Sequence, residues 1–343
     1  MTGLKMPAEW ERQAAIWLAW PHQRRDWPGK FATIPLVYAE IIRHITRTQP
    51  VKLLVRDARM REQALQLLAD VNANLDNLHC HEITTNRVWL RDSGPIFVRR
   101  GRRKLALDWK FNAWAKYPDW RLDNRVPERI VDREGLESVQ PQHRQRHVVL
   151  EGGSIDVNGA GALVTTEECL LDQSVQCRNP GFGREDYEEI FARYLGVDQT
   201  IWLSHGIVGD DTHGHVDDIT RFVDRQTVVT VVEPNRRDDN HPILKENLKR
   251  LRRVQLDGSP LNIIELPMPR PLYFEGTRVP ASYANFLICN KVVLVPTFND
   301  SNDRLALGIL AGCFPGREVI GIHAVDLVWG FGTLHCMSQQ EPF

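Results

Sequence analysis

The stretch Ser154-Ile155-Asp156-Val157-Asn158-Gly159-Ala160-Gly161-Ala162-Leu163-Val164-Thr165 sets the architecture. Two β-prone runs flank an Asn-Gly pair, and Asn-Gly accepts the positive φ angles that a tight hairpin turn demands. Residues 154–165 therefore predict a β-hairpin. Working outward, residues 219–232 repeat the pattern around Asp224-Arg225-Gln226, and residues 284–295 repeat it around Asn290-Lys291. A fourth hairpin is expected from residues 96–98, through Arg99-Arg100-Gly101, into residues 105–109.

The turns near 158, 225 and 290 are spaced by about 66 residues. Behind each lies a segment with apolar residues at helical spacing (184–195, 243–253 and 303–313), then another short apolar run (200–203, 261–266 and 318–322). Nearer the N-terminus, residues 36–48 predict a helix and 51–55 a strand. At this period 343 residues hold about five units. Such units, repeated around an axis, bury their apolar faces against their neighbours. The expectation is an α/β fold: a five-bladed, pseudo-symmetric α/β propeller of strand-hairpin, helix, strand repeats, forming a single domain over residues 1–343. No Gly/Ser-rich or Pro-rich linker divides the chain. Residues 110–146 fit the repeat poorly and are expected to be an irregular insertion. The basic run at 235–253 has an apolar stripe of Ile243, Leu244, Leu248 and Leu251, and reads as a solvated helix face.

Composition narrows the function. Forty-three basic residues against 44 acidic leave a net charge of −1, too little positive charge to suit a nucleic-acid backbone. No apolar stretch reaches the ~18 residues a membrane span needs, and residues 1–12 lack the apolar core of a signal peptide. Cys80, Cys169, Cys177, Cys289, Cys313 and Cys336 form no CxxC pair, which argues against a disulfide framework or a cysteine-rich zinc site. The expected setting is cytoplasmic.

Four segments concentrate polar residues that a fold alone would not request. They are 88–95 (VWLRDSGP), 150–154 (LEGGS), 210–218 (DDTHGHVDD) and 330–340 (GFGTLHCMSQQ). Asp92, Glu151, His215 and Cys336 lie about one, one and two repeat lengths apart in succession, each at or just before the opening strand of its unit. Equivalent phases of a ring project to equivalent distances from its axis, so the repeat would gather all four in one central pit. Singly each has a plainer reading: Asp92 and Glu151 as turn acids, His215 as a core histidine, Cys336 as a small buried hydrophobe. Asp210, Asp211, His213, His215, Asp217 and Asp218 also crowd nine residues, and such a cluster could hold a divalent cation in a metal-dependent ureohydrolase. A non-enzymatic guanidinium-binding protein is a third reading.

The sequence resembles the agmatine deiminase and bacterial peptidylarginine deiminase-like family of guanidine-modifying proteins. The motifs that carry the resemblance are 6–11 (MPAEWE) with 17–21 (WLAWP), 89–95 (WLRDSGP), 150–154, 214–217 (GHVD), 281–286 (ASYANF) and His335-Cys336. The resemblance implies a pentein-type five-bladed fold and hydrolysis of a guanidinium group with no cofactor and no metal. By position it implies Cys336 as nucleophile, His215 as general acid/base, Asp92 and Asp217 as the carboxylates gripping the guanidinium, and Glu151 as the acid orienting the histidine. It implies Trp89 and Asp211 as receivers of the substrate's chain and distal amine, and a homo-oligomer. Two motifs depart from the family pattern: Gly330-Phe331-Gly332-Thr333-Leu334-His335-Cys336 where Gly-Gly-Gly-Asn-Ile-His-Cys is usual, and Asp211-Thr212-His213-Gly214-His215 where acidic-Thr-Asn-Gly-His is usual.

These residue types suit that chemistry. A guanidinium is planar and cationic, and carboxylates can accept paired N–H bonds from it and fix its plane. Asp217 follows His215 by two residues, so on a strand both would face the same side. Agmatine is the first expected substrate, since Asp211 offers a partner for a terminal ammonium. Peptidylarginine or another guanidino compound comes next.

Overall fold

The computed structural model describes residues 3–343; Met1 and Thr2, the start of the segment read above for a targeting signal, lie outside it. Five sheets carry the fold. Three share one plan: a short strand pairs antiparallel with a long one, which pairs parallel with a third beyond a helical crossover, as parallel neighbours require. They are Asp156–Val157, Ala162–Thr166 and Gln199–Leu203; Thr220–Phe222, Thr227–Val232 and Asn262–Pro267; and Leu287–Ile288, Val292–Thr297 and Glu318–His323. The crossovers hold helices Arg184–Leu195, Asn240–Leu251 and Asp303–Cys313. The hairpins at 158, 225 and 290 are therefore present. Their first strands are shorter than expected, because Gly152–Ser154 and Val216–Asp218 form 3-10 turns just ahead of them.

The other two sheets have four strands each. Leu4–Lys5, Ile96–Arg100, Arg103–Leu107 and Glu137–Val139 form one. Ser338–Pro342, Gln13–Ala19, Val51–Val55 and Leu78–Glu82 form the other, in which the last strand of the chain pairs with an early one. Helix Ile34–Thr46 crosses between Gln13–Ala19 and Val51–Val55, burying Ile34, Tyr38, Ile41, Ile42 and Ile45 at helical spacing. Among the described residues no helix is long and apolar enough to cross a membrane.

Residues 110–146 correct the expectation of an irregular insertion. Only the first part is irregular. Helix Val126–Glu134 and strand Glu137–Val139 complete a hairpin, helix, strand unit. The loop ahead of the helix delays it, so the unit falls out of phase with the others, and its helix is only nine residues long.

One feature of the plan places the site. In all five sheets the outer antiparallel strand is entered from a turn, and these turns carry Asp92 (Leu90–Ser93), Glu151 and Gly153, Asp217 (Val216–Asp218), Asn285 and Cys336. Arg221, wholly buried, ties three sheets and the N-terminal segment together: it donates to Asp156 Oδ2, to the carbonyls of Ala284 and Phe286, and to Glu9 Oε2.

Gly196 ends helix Arg184–Leu195 in the left-handed region (φ 69°), and a Cβ there would lie 2.3 Å from the carbonyl oxygen of Leu4. Gly196→Ala should lower stability by about 1–2 kcal/mol for the left-handed conformation alone, with the collision adding to that. Urea unfolding would measure it, and an unchanged midpoint would contradict this packing.

Candidate active site

A cavity of about 600 Å³ opens beside the turns, with Trp89, Asp92, Trp114, Asp211, Phe331 and Cys336 in its wall. The structure brings Cys336, His215, Glu151, Asp92 and Asp217 together at and behind its inner end.

Asp92 is buried. Its Oδ1 accepts from the Gly153 amide at 3.0 Å and its Oδ2 from Trp114 Nε1 at 2.9 Å. Trp114 comes from the irregular loop, where Ala113, Trp114 and Ala115 all have positive φ, a strained turn of the kind found at functional sites. Burial raises the Asp92 pKa to about 6; His215 counteracts it, while Asp217 and Glu151 add to it.

His215 lies between two carboxylates. Its Nδ1 is 3.8 Å from Asp92 Oδ1 and its Nε2 is 3.7 Å from Glu151 Oε2, and neither nitrogen has a hydrogen-bond partner. Burial alone would lower its pKa; Asp92, together with Cys169 and Glu151, outweighs that and raises it well above the usual imidazole value. Glu151 Oε1 accepts from the buried Arg178 Nε at 3.1 Å, and Arg178 also donates to the Thr212 carbonyl, bracing the loop that leads to His215. The expectation of a strand at 215–217 is corrected. His215 caps a 3-10 turn, because Asp210 Oδ2 accepts from the amides of Gly214 and His215 and curls the chain there.

Asp217 divides its two oxygens. Oδ2 bonds His335 Nδ1 at 2.7 Å and lies 3.6 Å from Cys336 Sγ, while Oδ1 is buried with no partner. Burial disfavours the charge on Asp217, and His335 more than offsets this, holding its pKa below the ordinary value. Cys336 Sγ receives Asn285 Nδ2 at 3.0 Å. Burial, then Asp217, Asp218 and Asp92, push its thiol well above the usual range. These causes all favour the protonated thiol over the thiolate.

Trp89 lines the cavity as expected. Asp211 also lines it, but as an occupied carboxylate: Tyr117 donates to its Oδ2 at 2.6 Å and Lys116 pairs with its Oδ1. The crowd at 210–218 does not converge on one point. Asp210 bonds backbone amides, His213 pairs with Asp172 at 2.9 Å, Asp217 holds His335, and Asp218 accepts from Asn285. Two tighter groups, Glu151 with Cys169 and His215, and Asp217 with Asp218 and Cys336, span 4.8 Å or less. Arg178 already neutralises the first group and His335 engages the second. That donor environment fits a cationic substrate better than a resident divalent ion.

Sequence reasoning missed Trp114, Asn285, Arg178 and Glu9 as members of the site. Glu9 and Asn285 lie in quoted motifs, but nothing local in the sequence tells that segments so far apart in the chain meet.

Sheets built of an antiparallel pair, a crossover helix and a parallel strand, with cysteine, histidine and carboxylates gathered at their turns, fit the guanidine-modifying, pentein-type class of α/β protein. Residues 5–342 match the model of the Porphyromonas-type peptidyl-arginine deiminase family, and the chain belongs to that family. It is 34% identical to the agmatine deiminase of Ectopseudomonas mendocina over 99% of this chain and 96% of that one. Among solved structures it is similar to the agmatine deiminase of Enterococcus faecalis (TM-score 0.89, 30% identity, 99% of this chain and 96% of that one). It is also similar to a Cys-to-Ser variant of the C. jejuni agmatine deiminase with substrate bound (TM-score 0.88, 30% identity, 98% and 96%).

Gly153 lets two of these groups approach. A Cβ there would lie 2.5 Å from His215 Nδ1 and 2.9 Å from Asp92 Oδ1. Gly153→Ala should lower kcat/KM by about 10²-fold, the scale expected for misplaced reacting groups, with the far-ultraviolet dichroism unchanged. Wild-type kinetics in this variant would contradict the close packing.

Proposed function

We propose that the protein is a hydrolase acting on the C–N bonds of an amidine: it deiminates a guanidino substrate, with agmatine the first candidate, giving N-carbamoylputrescine and ammonia through a covalent thiouronium on Cys336. The observation that carries this reading is the buried Asp217, with Oδ2 3.6 Å from the Cys336 thiol and Oδ1 unpartnered, behind a cavity walled by Asp92 and Cys336. The relatives' names point the same way, and the pairing of the last strand with an early one supports closure of the five sheets as blades of a single-domain ring.

The guanidinium enters between Asp92 and Asp217, each accepting its N–H groups. Its positive charge favours loss of the thiol proton to solvent water, and the thiolate attacks the guanidinium carbon. His215, protonated in the free site, passes its proton to the departing nitrogen. Ammonia leaves and the carbon stays bonded to sulfur. Neutral His215 then takes a proton from water, hydroxide adds to the carbon, and the C–S bond breaks to release the ureido product and restore the thiol. Glu151 holds the imidazolium in place from behind.

Agmatine is favoured by the names of the relatives and by Asp211 in the cavity wall, where Lys116 now pairs with it. Its terminal ammonium would have to exchange with Lys116 at Asp211. Peptidylarginine remains the alternative substrate, to be compared in the same assay.

Acid-quenched intact mass spectrometry should show a substrate-minus-ammonia adduct that Cys336→Ser abolishes along with turnover. Activity retained by the serine variant would overturn the nucleophile. Equal or better turnover of a blocked arginine peptide would overturn the agmatine preference.

The pH dependence has a defined sign. With a raised pKa, Asp92 loses its charge as pH falls through about 6, so kcat/KM should fall below that point. An acid limb only near the ordinary carboxylate value of about 4 would contradict the role given to Asp92.

A further inference from the structure

The segment 6–11 and the histidine before Cys336 have no part in the steps above, yet they meet beneath the thiol. Glu9 is 4% exposed. Its Oε1 accepts from the Ile288 amide at 2.8 Å; its Oε2 accepts from Arg221 Nη2 at 2.6 Å and from His335 Nε2 at 2.8 Å. The other imidazole nitrogen, Nδ1, meets Asp217 Oδ2 at 2.7 Å.

We infer that Glu9 and His335 are a positioning pair for the thiol centre, fixing Asp217 so that one oxygen is free for the guanidinium. The inference rests on the deiminase reading.

Ionised carboxylates only accept hydrogen bonds, so the His335 ring, with one carboxylate on each nitrogen, is held in a single orientation between Glu9 and Asp217. Burial opposes the charge on Glu9, but Arg221 and His335 together hold its carboxyl far below the ordinary range, so it stays ionised wherever the enzyme is folded. The charged groups around the ring are Glu9 and Asp217 on its nitrogens, Arg91 (whose Nε donates to the His335 carbonyl at 3.3 Å and whose Nη2 is 3.9 Å from Glu9) and Arg221 behind Glu9. Two consequences follow. Asp217 cannot turn its free Oδ1 away without giving up a charge-assisted bond. And His335 directly precedes the nucleophile, so the bonds that fix its ring also steady the segment that carries Cys336.

The experiment compares Glu9→Gln, Glu9→Asp and His335→Gln in the full chain with wild type, using steady-state kinetics on agmatine, with melting temperature as a fold control. His335→Gln leaves a neutral donor toward Asp217. It should raise KM and lower kcat, with kcat/KM down about 10²-fold. Glu9→Gln removes the carboxylate that His335 Nε2 meets, so KM should rise and kcat fall in the same direction as in His335→Gln, and Glu9→Asp should recover part of both. A structural role alone would lower the melting temperature and leave KM and kcat as in wild type; that result would overturn the inference. Should Glu9→Gln not fold, the KM and kcat changes in His335→Gln decide alone. Failure of wild type itself to form ureido product sinks the deiminase reading instead, and is distinguishable from either outcome.

Discussion

The pit gathers buried carboxylates with acceptor oxygens that the protein leaves unpartnered, and the rest of the site follows from that. Arg178 is committed to Glu151, and Arg221 to Glu9 and Asp156. Asp92 is left with two neutral donors, and one oxygen of Asp217 with none. A buried, unpaired carboxylate costs several kcal/mol. The empty site meets that cost by shifting proton affinities: Asp92 and Cys336 upward, His215 upward into its charged form. A flat cation placed between the carboxylates removes the strain and makes the thiolate accessible in the same step. On the proposed mechanism, binding and activation of the nucleophile are one event, which selects for cationic substrates.

The fold supports this by topology. Each contributing side chain stands on a turn that opens a sheet, so its position is set by a hairpin and a crossover helix rather than by a long loop. Arg221 shows how tightly neighbouring sheets are locked, since one guanidinium spans an acid, two carbonyls and Glu9. The walls nearer solvent are looser in character. There Lys116, Tyr117 and Arg87 already satisfy the acidic groups, and Phe331, at φ 64°, places an aromatic side chain in the wall from a strained backbone. The reaction depends on the inner turns and the choice of substrate on these outer residues.

Much of this was legible from residues alone because hairpins and crossover helices write local patterns. Asn158-Gly159 marks its turn, and helices Arg184–Leu195 and Asp303–Cys313 match the apolar periodicity to the residue. The spacing of Asp92, Glu151, His215 and Cys336 reflects equivalent positions in successive units. What escaped notice is non-local or irregular. The helix at Val126–Glu134 was hidden by the loop before it, the strand expected at His215 gave way to a turn because Asp210 captures backbone amides, and Glu9 reaches His335 from the far end of the chain. No window of sequence contains those contacts.

The central claim is that a cation in the pit turns a neutral thiol into a thiolate. Ultraviolet difference absorbance of the Cys336 thiolate at neutral pH, recorded with a non-reacting amidinium and with neutral urea, tests it directly. The signal should be absent in the free enzyme and with urea, and appear with the amidinium in wild type but not in Cys336→Ser. A thiolate already present in the empty site, or none on cation binding, would contradict the account.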